Sequence, residues 1–335
     1  MTLVVGVISL FTTRSHPARA VAAPAATTSA LPVTTIAPTT APPTSTAPPS
    51  TTTSTTAAQP APPDLVPLAG APQSGEGHWL AAGRSVGGRV AVWQAYLRPP
   101  GGGSYAGIAR LDTGLLDIEV YAGAGQSGGP WTHAGSIPPE RRAALVAAFN
   151  GGFQLSVANG GFFADGRAVP PLRDGAASLV VHSDGRAEID QWGRDAAPGP
   201  DIVAVRQNLG LLVDAGAPTP AAANPAAWGA TLGGGTAVWR SGLGSDSAGH
   251  LYYVGGPGLT PASLAAVMVA AGASRAMELD INPQWVLFAN YTDSLEGTLG
   301  TRLLPTMNYA PDHFFSTDGR DFVAAFARGA PSTGG

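Results

Sequence analysis

Thr260-Pro261-Ala262-Ser263-Leu264-Ala265-Ala266-Val267-Met268-Val269-Ala270-Ala271-Gly272-Ala273-Ser274-Arg275-Ala276-Met277-Glu278-Leu279-Asp280-Ile281-Asn282 holds two elements end to end. Thr260 is a natural N-cap and Pro261 fits the first helical position. Leu264, Val267, Met268 and Ala271 recur at i, i+3, i+4 and i+7, and Gly272 can close the helix. From Ala276 the period changes to two. Met277, Leu279 and Ile281 then fall on one face and Glu278, Asp280 and Asn282 on the other. A helix that runs straight into a strand, within a chain of many short strands, predicts an α+β or mixed α/β fold. The expected core is a central, mostly antiparallel or mixed sheet with a few flanking helices.

Strand-like runs lie outward of this stretch at Arg89 to Leu97, Gly107 to Leu111, Leu115 to Tyr121 and Ser178 to His182. Further runs follow at Ile202 to Val205, Thr236 to Trp239 and Leu251 to Val254. Asp165-Gly166, Asp184-Gly185 and Asp318-Gly319 supply turn signals beside them. A second helix is expected to open at Pro138-Pro139-Glu140 and to reach about Ala147. No solenoid-type repeat interrupts the pattern, which predicts one large domain over residues 65–335.

The chain before that domain is of another kind. Thr2 to Phe11 is apolar and of signal-peptide length, and Ala18-Arg19-Ala20 and Ala20-Val21-Ala22 both offer a small-x-small cleavage pattern. Residues 1–22 are therefore expected to be a signal peptide or N-terminal anchor. Residues 23–64 are rich in Pro, Thr, Ser and Ala, the composition of a disordered, extended stalk open to O-glycosylation. Together these segments predict an exported, extracytoplasmic protein, secreted or associated with the cell envelope.

Composition removes several function classes. Basic residues number 18 against 22 acidic ones, for a net charge of −4 with no Lys/Arg cluster, so a nucleic-acid partner is not expected. Any membrane tether would run through the N-terminus alone. The absence of cysteine excludes disulfides, thiol nucleophiles and Cys-ligated metals. The six histidines form no recognisable metal-ligand or triad spacing, no metal site is expected, and nothing in the sequence names a cofactor.

Three segments hold candidate chemistry. A Glu-x-Asp pair on a strand face is ordinarily solvated surface, but apolar sequence brackets Glu278 and Asp280 here. Two carboxylates on one partly buried face repel, which raises one pKa and makes an acid/base-capable pair. Phe149-Asn150-Gly151-Gly152-Phe153 permits positive φ and close approach of backbone N–H groups to an anion; the bland alternative is a hairpin turn, the reading preferred for the echo at Asn159-Gly160-Gly161. Trp239-Arg240-Ser241-Gly242 sets an arginine and a hydroxyl at the end of an apolar run, a pattern able to hold a phosphate. Arg206 and Arg320, by contrast, read as members of surface ion pairs.

These segments occur in a familiar order. Phe149-Asn150-Gly151-Gly152-Phe153, Arg240-Ser241-Gly242, Gly258-Leu259-Thr260 opening a helix, and Gly272-Ala273 leading to Leu279-Asp280 together resemble the phosphodiester glycosidase domain family. Arg320-Asp321-Phe322-Val323 resembles the family's closing Glu-Arg-Pro-Val, so the likeness spans roughly residues 147–328. That family includes the uncovering enzyme, which removes N-acetylglucosamine from a phosphate on mannose. In place of the family's Asp-Gly-Gly-Gly-Ser this chain has Asp280-Ile281-Asn282-Pro283-Gln284, so the aspartate carries over and the glycine loop does not.

The resemblance implies Asn150, Arg240 and Asp280 as site positions, with Ser241 beside them and Glu278 and Asn282 as replacements particular to this chain. The substrate it implies is a carbohydrate or glycosyl phosphate. Arg240 and the backbone donors of Asn150, Gly151 and Gly152 are expected to take the phosphate, and Asp280 with Glu278 to carry the catalysis. The resulting expectation is a hydrolase of a glycosyl phosphodiester in an envelope glycan. The alternative is a non-catalytic glycan-binding module of the same fold. A plain glycoside hydrolase using Glu278 and Asp280 ranks third, because residues two apart on a strand lie about 7 Å apart and point in parallel.

Overall fold

Short apolar runs divided by glycine turns favour strands that pair with close neighbours, and they do so throughout the computed structural model, which describes residues 59–126, 128–229, 234–295 and 297–329. The strands form one eight-stranded and two five-stranded sheets, and all pairings between them are antiparallel. The expected α+β or mixed α/β class is thus corrected to a mostly antiparallel β fold. Among the described residues the only α-helices are the four-residue Leu155–Ala158 and Pro261–Ala271; the helix expected at 138–147 is a 3-10 helix, Pro139–Ala144, that gives way to the strand Leu145–Asn150.

The helix-to-strand stretch shows why the class was misread. Thr260 and Ser263 form a reciprocal capping box, and Gly272 closes the helix in the left-handed region at φ 112°. The strands on either side, His250–Leu259 and Arg275–Asp280, run in the same direction, as a strand-helix-strand unit should. Val238–Ser245 is inserted between them and is antiparallel to both, so no parallel pair results.

Pro261–Ala271 covers one face of the eight-stranded sheet, where Leu264, Val267 and Met268 pack with Ala276, Val254 and Ile108. The opposite face meets the other sheets through Leu243, Tyr253 and Met277 packed with Phe149, Phe288, Phe322 and Ile189. Sheet therefore lies on sheet where flanking helices were expected.

Residues 1–22 and most of 23–64, the expected leader and stalk, lie outside the described residues. Within the remainder of that span, the Gln59 side chain accepts from Val90 N at 2.8 Å and Pro63 O accepts from the Trp79 indole at 3.0 Å. No described helix is long and apolar enough to cross a membrane.

Candidate active site

The site begins with an irregularity in the strand Arg275–Asp280. Glu278 stands opposite Gly242 and Asp280 opposite Ser241, so two residues of one strand are spanned by a single step of its neighbour and Leu279 is the extra one. A bulge of this kind breaks the period-two alternation on which the sequence reading relied. A Cβ on Gly242 would meet Met268 and Leu264, which puts Glu278 on the helix-covered face. Ser241 instead accepts a hydrogen bond from Asn150 Nδ2 at 3.1 Å on the face toward the other sheets. Asp280 shares that second face.

Asn150 ends its strand in a fully engaged position. Its Oδ1 accepts from the Tyr253 hydroxyl at 2.9 Å and from Leu287 N at 3.4 Å, and burial pushes the Tyr253 phenol up. Asp280 is 3% exposed. Its Oδ1 accepts from Ile281 N at 2.8 Å and Asn282 N at 2.9 Å, while Oδ2 accepts from Arg320 Nη2 at 2.6 Å. Burial raises the Asp280 pKa above the usual carboxylate range, opposed by the Arg320 charge and by the two backbone donors. The segment standing where the family has glycines therefore turns its N–H groups inward onto its own aspartate. Asn282 is exposed and its side chain accepts from Gln284 N at 3.0 Å, which makes it a turn residue.

Arg320 completes the centre. Besides Asp280 it donates to Gly152 O at 3.1 Å, and its guanidinium lies 5.0 Å from the Trp285 ring. Only Nη2 of this guanidinium is engaged with described residues, and Nε is buried without a partner. The surroundings close a circuit. Trp285 and Tyr309 rings are 5.6 Å apart, Tyr309 stacks on His313 at 3.8 Å, His313 Nε2 bonds Asp318 Oδ2 at 2.9 Å, and Asp318 Oδ1 accepts from Arg320 N at 2.9 Å. Inside is a cavity of about 10 Å³ bordered by Asn150, Gly152, Trp285, His313 and Arg320, room for one water-sized group. Tyr309 and His313 also border an outer cleft of about 410 Å³ with Asp312, Phe315 and Ser316.

Arg240 and Glu278 do not join this cavity. The Arg240 guanidinium is hydrogen-bonded to Glu278 Oε1 and donates to the carbonyls of Leu259, Trp228 and Thr236. It borders a separate cavity of about 290 Å³ with Pro225, Gly229, Gly234 and Thr236. Glu278 is wholly buried, its Oε2 has no partner, and burial pushes its pKa up to about 7 despite Arg240. Of the three side chains expected to converge, Asn150 and Asp280 share one face and are linked only through the Ser241 hydroxyl, which bonds the Asp280 carbonyl, while Arg240 lies across the sheet.

The backbone donors assigned to a phosphate are largely used elsewhere. Asn150 N donates to Leu287 O at 3.1 Å and Gly151 N to Asp321 O at 2.9 Å. Beneath them lies a buried ion pair, Arg206 with Asp321 at 3.1 Å, where the sequence suggested surface arginines. Arg206 also donates to Phe153 O, and Asn208 links Phe153 N to Gly151 O. Gly152 sits over this network at φ 129°, where a Cβ would come within 2.2 Å of Asn208 Oδ1. Gly152→Ala is therefore expected to destabilise the protein by about 1–3 kcal/mol, read as a lower urea midpoint.

No protein-family model matches the chain, and no curated protein matches it in sequence. Among solved structures it is distantly similar to the zebrafish N-acetylglucosamine-1-phosphodiester alpha-N-acetylglucosaminidase catalytic domain, auto-inhibited by its pro-peptide. That likeness has a TM-score of 0.45 and 13% identity, over 75% of this chain and 88% of the other. A hypothetical protein from Synechocystis is similar with a TM-score of 0.40 and 13% identity, over 72% of this chain and 63% of that one.

Sequence reasoning missed Arg320, Trp285, Tyr309, His313 and Asp318 as parts of this centre. Aromatic residues clustered after Asp280 and between 309 and 315 were the available signal. Among the described residues no group of three or more His, Asp or Glu side chains is arranged to hold a metal ion.

Proposed function

We propose that the protein hydrolyses a glycosyl phosphodiester of an envelope glycan, outside the cytoplasm. The observation that supports this reading is a buried carboxylate, Asp280, paired with Arg320, whose guanidinium has unused donors and borders a small cavity walled by aromatic rings. A glycosyl phosphodiester asks for these groups. Its phosphate is an anion that matches arginine, its sugar ring has apolar faces that stack on Trp and Tyr, and its oxocarbenium-like transition state needs a nearby carboxylate. Arg320 takes over the phosphate role that the sequence assigned to Arg240. Asp280 shields the sugar cation or receives the proton of the attacking water. The leader-like residues 1–22 and the stalk composition of 23–64 support the extracytoplasmic location.

The test uses the full chain and a panel of α- and β-linked methyl esters of hexose and N-acetylhexosamine 1-phosphates. Release of free reducing sugar is the expected result. Arg320→Gln is expected to raise KM about 10- to 100-fold, the loss of one or two charge-assisted hydrogen bonds. Saturable binding without turnover would favour a glycan-binding module instead. The small size of the inner cavity and the full engagement of Asp280 Oδ1 favour that second reading.

A further inference from the structure

Between the inner cavity and the outer cleft stand two side chains that border both spaces, Tyr309 and His313, the latter on the 3-10 helix Pro311–Phe315. Two contacts fix the plane and rotation of the His313 ring: Tyr309 stacks against it with an interplanar angle of 12°, and Asp318 holds Nε2. Asp318 is itself anchored, since its N donates to Gly135 O at 2.8 Å and its Oδ1 accepts from Arg320 N. One carboxylate thus ties the imidazole to the backbone at Arg320. Nδ1 makes no hydrogen bond with any described residue, so the ring has one nitrogen oriented by a carboxylate and the other left for chemistry. That is the division of labour expected of a general acid or base.

Resting on the hydrolase reading above, we propose that His313 is the proton donor to the departing phosphate, and that the outer cleft receives the group esterified to that phosphate. In the step, the bond between the sugar C1 and the phosphate oxygen breaks and its electron pair stays on that oxygen. The oxygen takes the Nδ1 proton of the imidazolium. The oxygen of water bonds to C1 and its proton passes to the Asp280 carboxylate, from which solvent returns a proton to His313. The charged and titratable groups around the ring are Asp318 on Nε2, Tyr309 on its face, Arg320 and Asp321 across the inner cavity, and Asp312 in the outer cleft.

His313→Asn and His313→Gln in the full chain test this, each first checked for an unchanged melting temperature. With the methyl glycosyl phosphates, kcat is expected to fall about 100-fold or more. The loss is expected to shrink as the leaving phosphate ester is made a weaker base. With a 2,4-dinitrophenyl glycoside, whose leaving group departs without a proton, the variants are expected to match the wild type. Variants that keep wild-type kcat would overturn the assignment of His313 alone. Absence of turnover by the unaltered protein on every ester would overturn it together with the hydrolase reading.

Discussion

Asp280→Asn is expected to suppress release of sugar from a glycosyl phosphodiester by about 10³-fold or more in kcat, with little change in fold. The substitution is nearly isosteric. An amide oxygen in place of Oδ1 keeps the bonds from Ile281 N and Asn282 N, so the turn after the strand should hold. What is lost is the negative charge facing Arg320 and the reacting sugar. An amide cannot take a proton from water or balance an oxocarbenium ion, and its NH₂ group would oppose Arg320 Nη2 where Oδ2 accepts at 2.6 Å. Phosphate affinity should be kept or tightened, because Arg320 is freed from its carboxylate. The discriminating measurement is therefore kcat set beside the inhibition constant for a sugar 1-phosphate. Equal kcat in both proteins would end the assignment of Asp280.

The second large effect falls on the other face of the sheet, in stability. Arg240→Met leaves the Glu278 carboxylate buried with neither oxygen satisfied, and breaking a buried pair in this way costs about 3–5 kcal/mol. The cost depends on pH. The folded-state pKa of Glu278 is raised from 4.5 to about 7, so ionisation of this group opposes folding. That penalty is absent below the unfolded value, grows as pH rises, and is complete above the folded value. Without Arg240 the folded value moves higher still and the penalty enlarges. Urea denaturation should show a larger deficit at pH 8 than at pH 5, where the protonated acid needs no cation. A deficit independent of pH would contradict this account. Because Arg240 is held by Glu278 and three carbonyls, the same variant also separates a structural arginine from a substrate-binding one.

Local signals were legible where local rules decide the outcome. The N-cap at Thr260, the stop at Gly272 and the strand Arg89–Leu97 follow from residue spacing and lie where the sequence put them. The fold class was not legible, because insertion of Val238–Ser245 between two co-directional strands is a long-range pairing that leaves no mark in the helix or strand it separates. The face shared by Glu278 and Asp280 failed for a smaller reason. Period two holds only without a bulge, and the extra residue at Leu279 is visible only in the register with Ser241 and Gly242. Arg320 was read as a surface ion pair because its buried partner, Asp280, lies 40 residues away and nothing in the arginine's own segment marks that pairing.

The extra residue at Leu279 gives the sheet the character of an insulating wall. Two acids that chain proximity would force to compete for the same solvent and counter-charge are each provided with their own arginine, on separate sides. Substitutions around Asp280 can thus accumulate without disturbing the Arg240–Glu278 pair behind it. A deletion of that single position would merge the two environments, so the length of one strand, rather than the identity of either acid, keeps them apart.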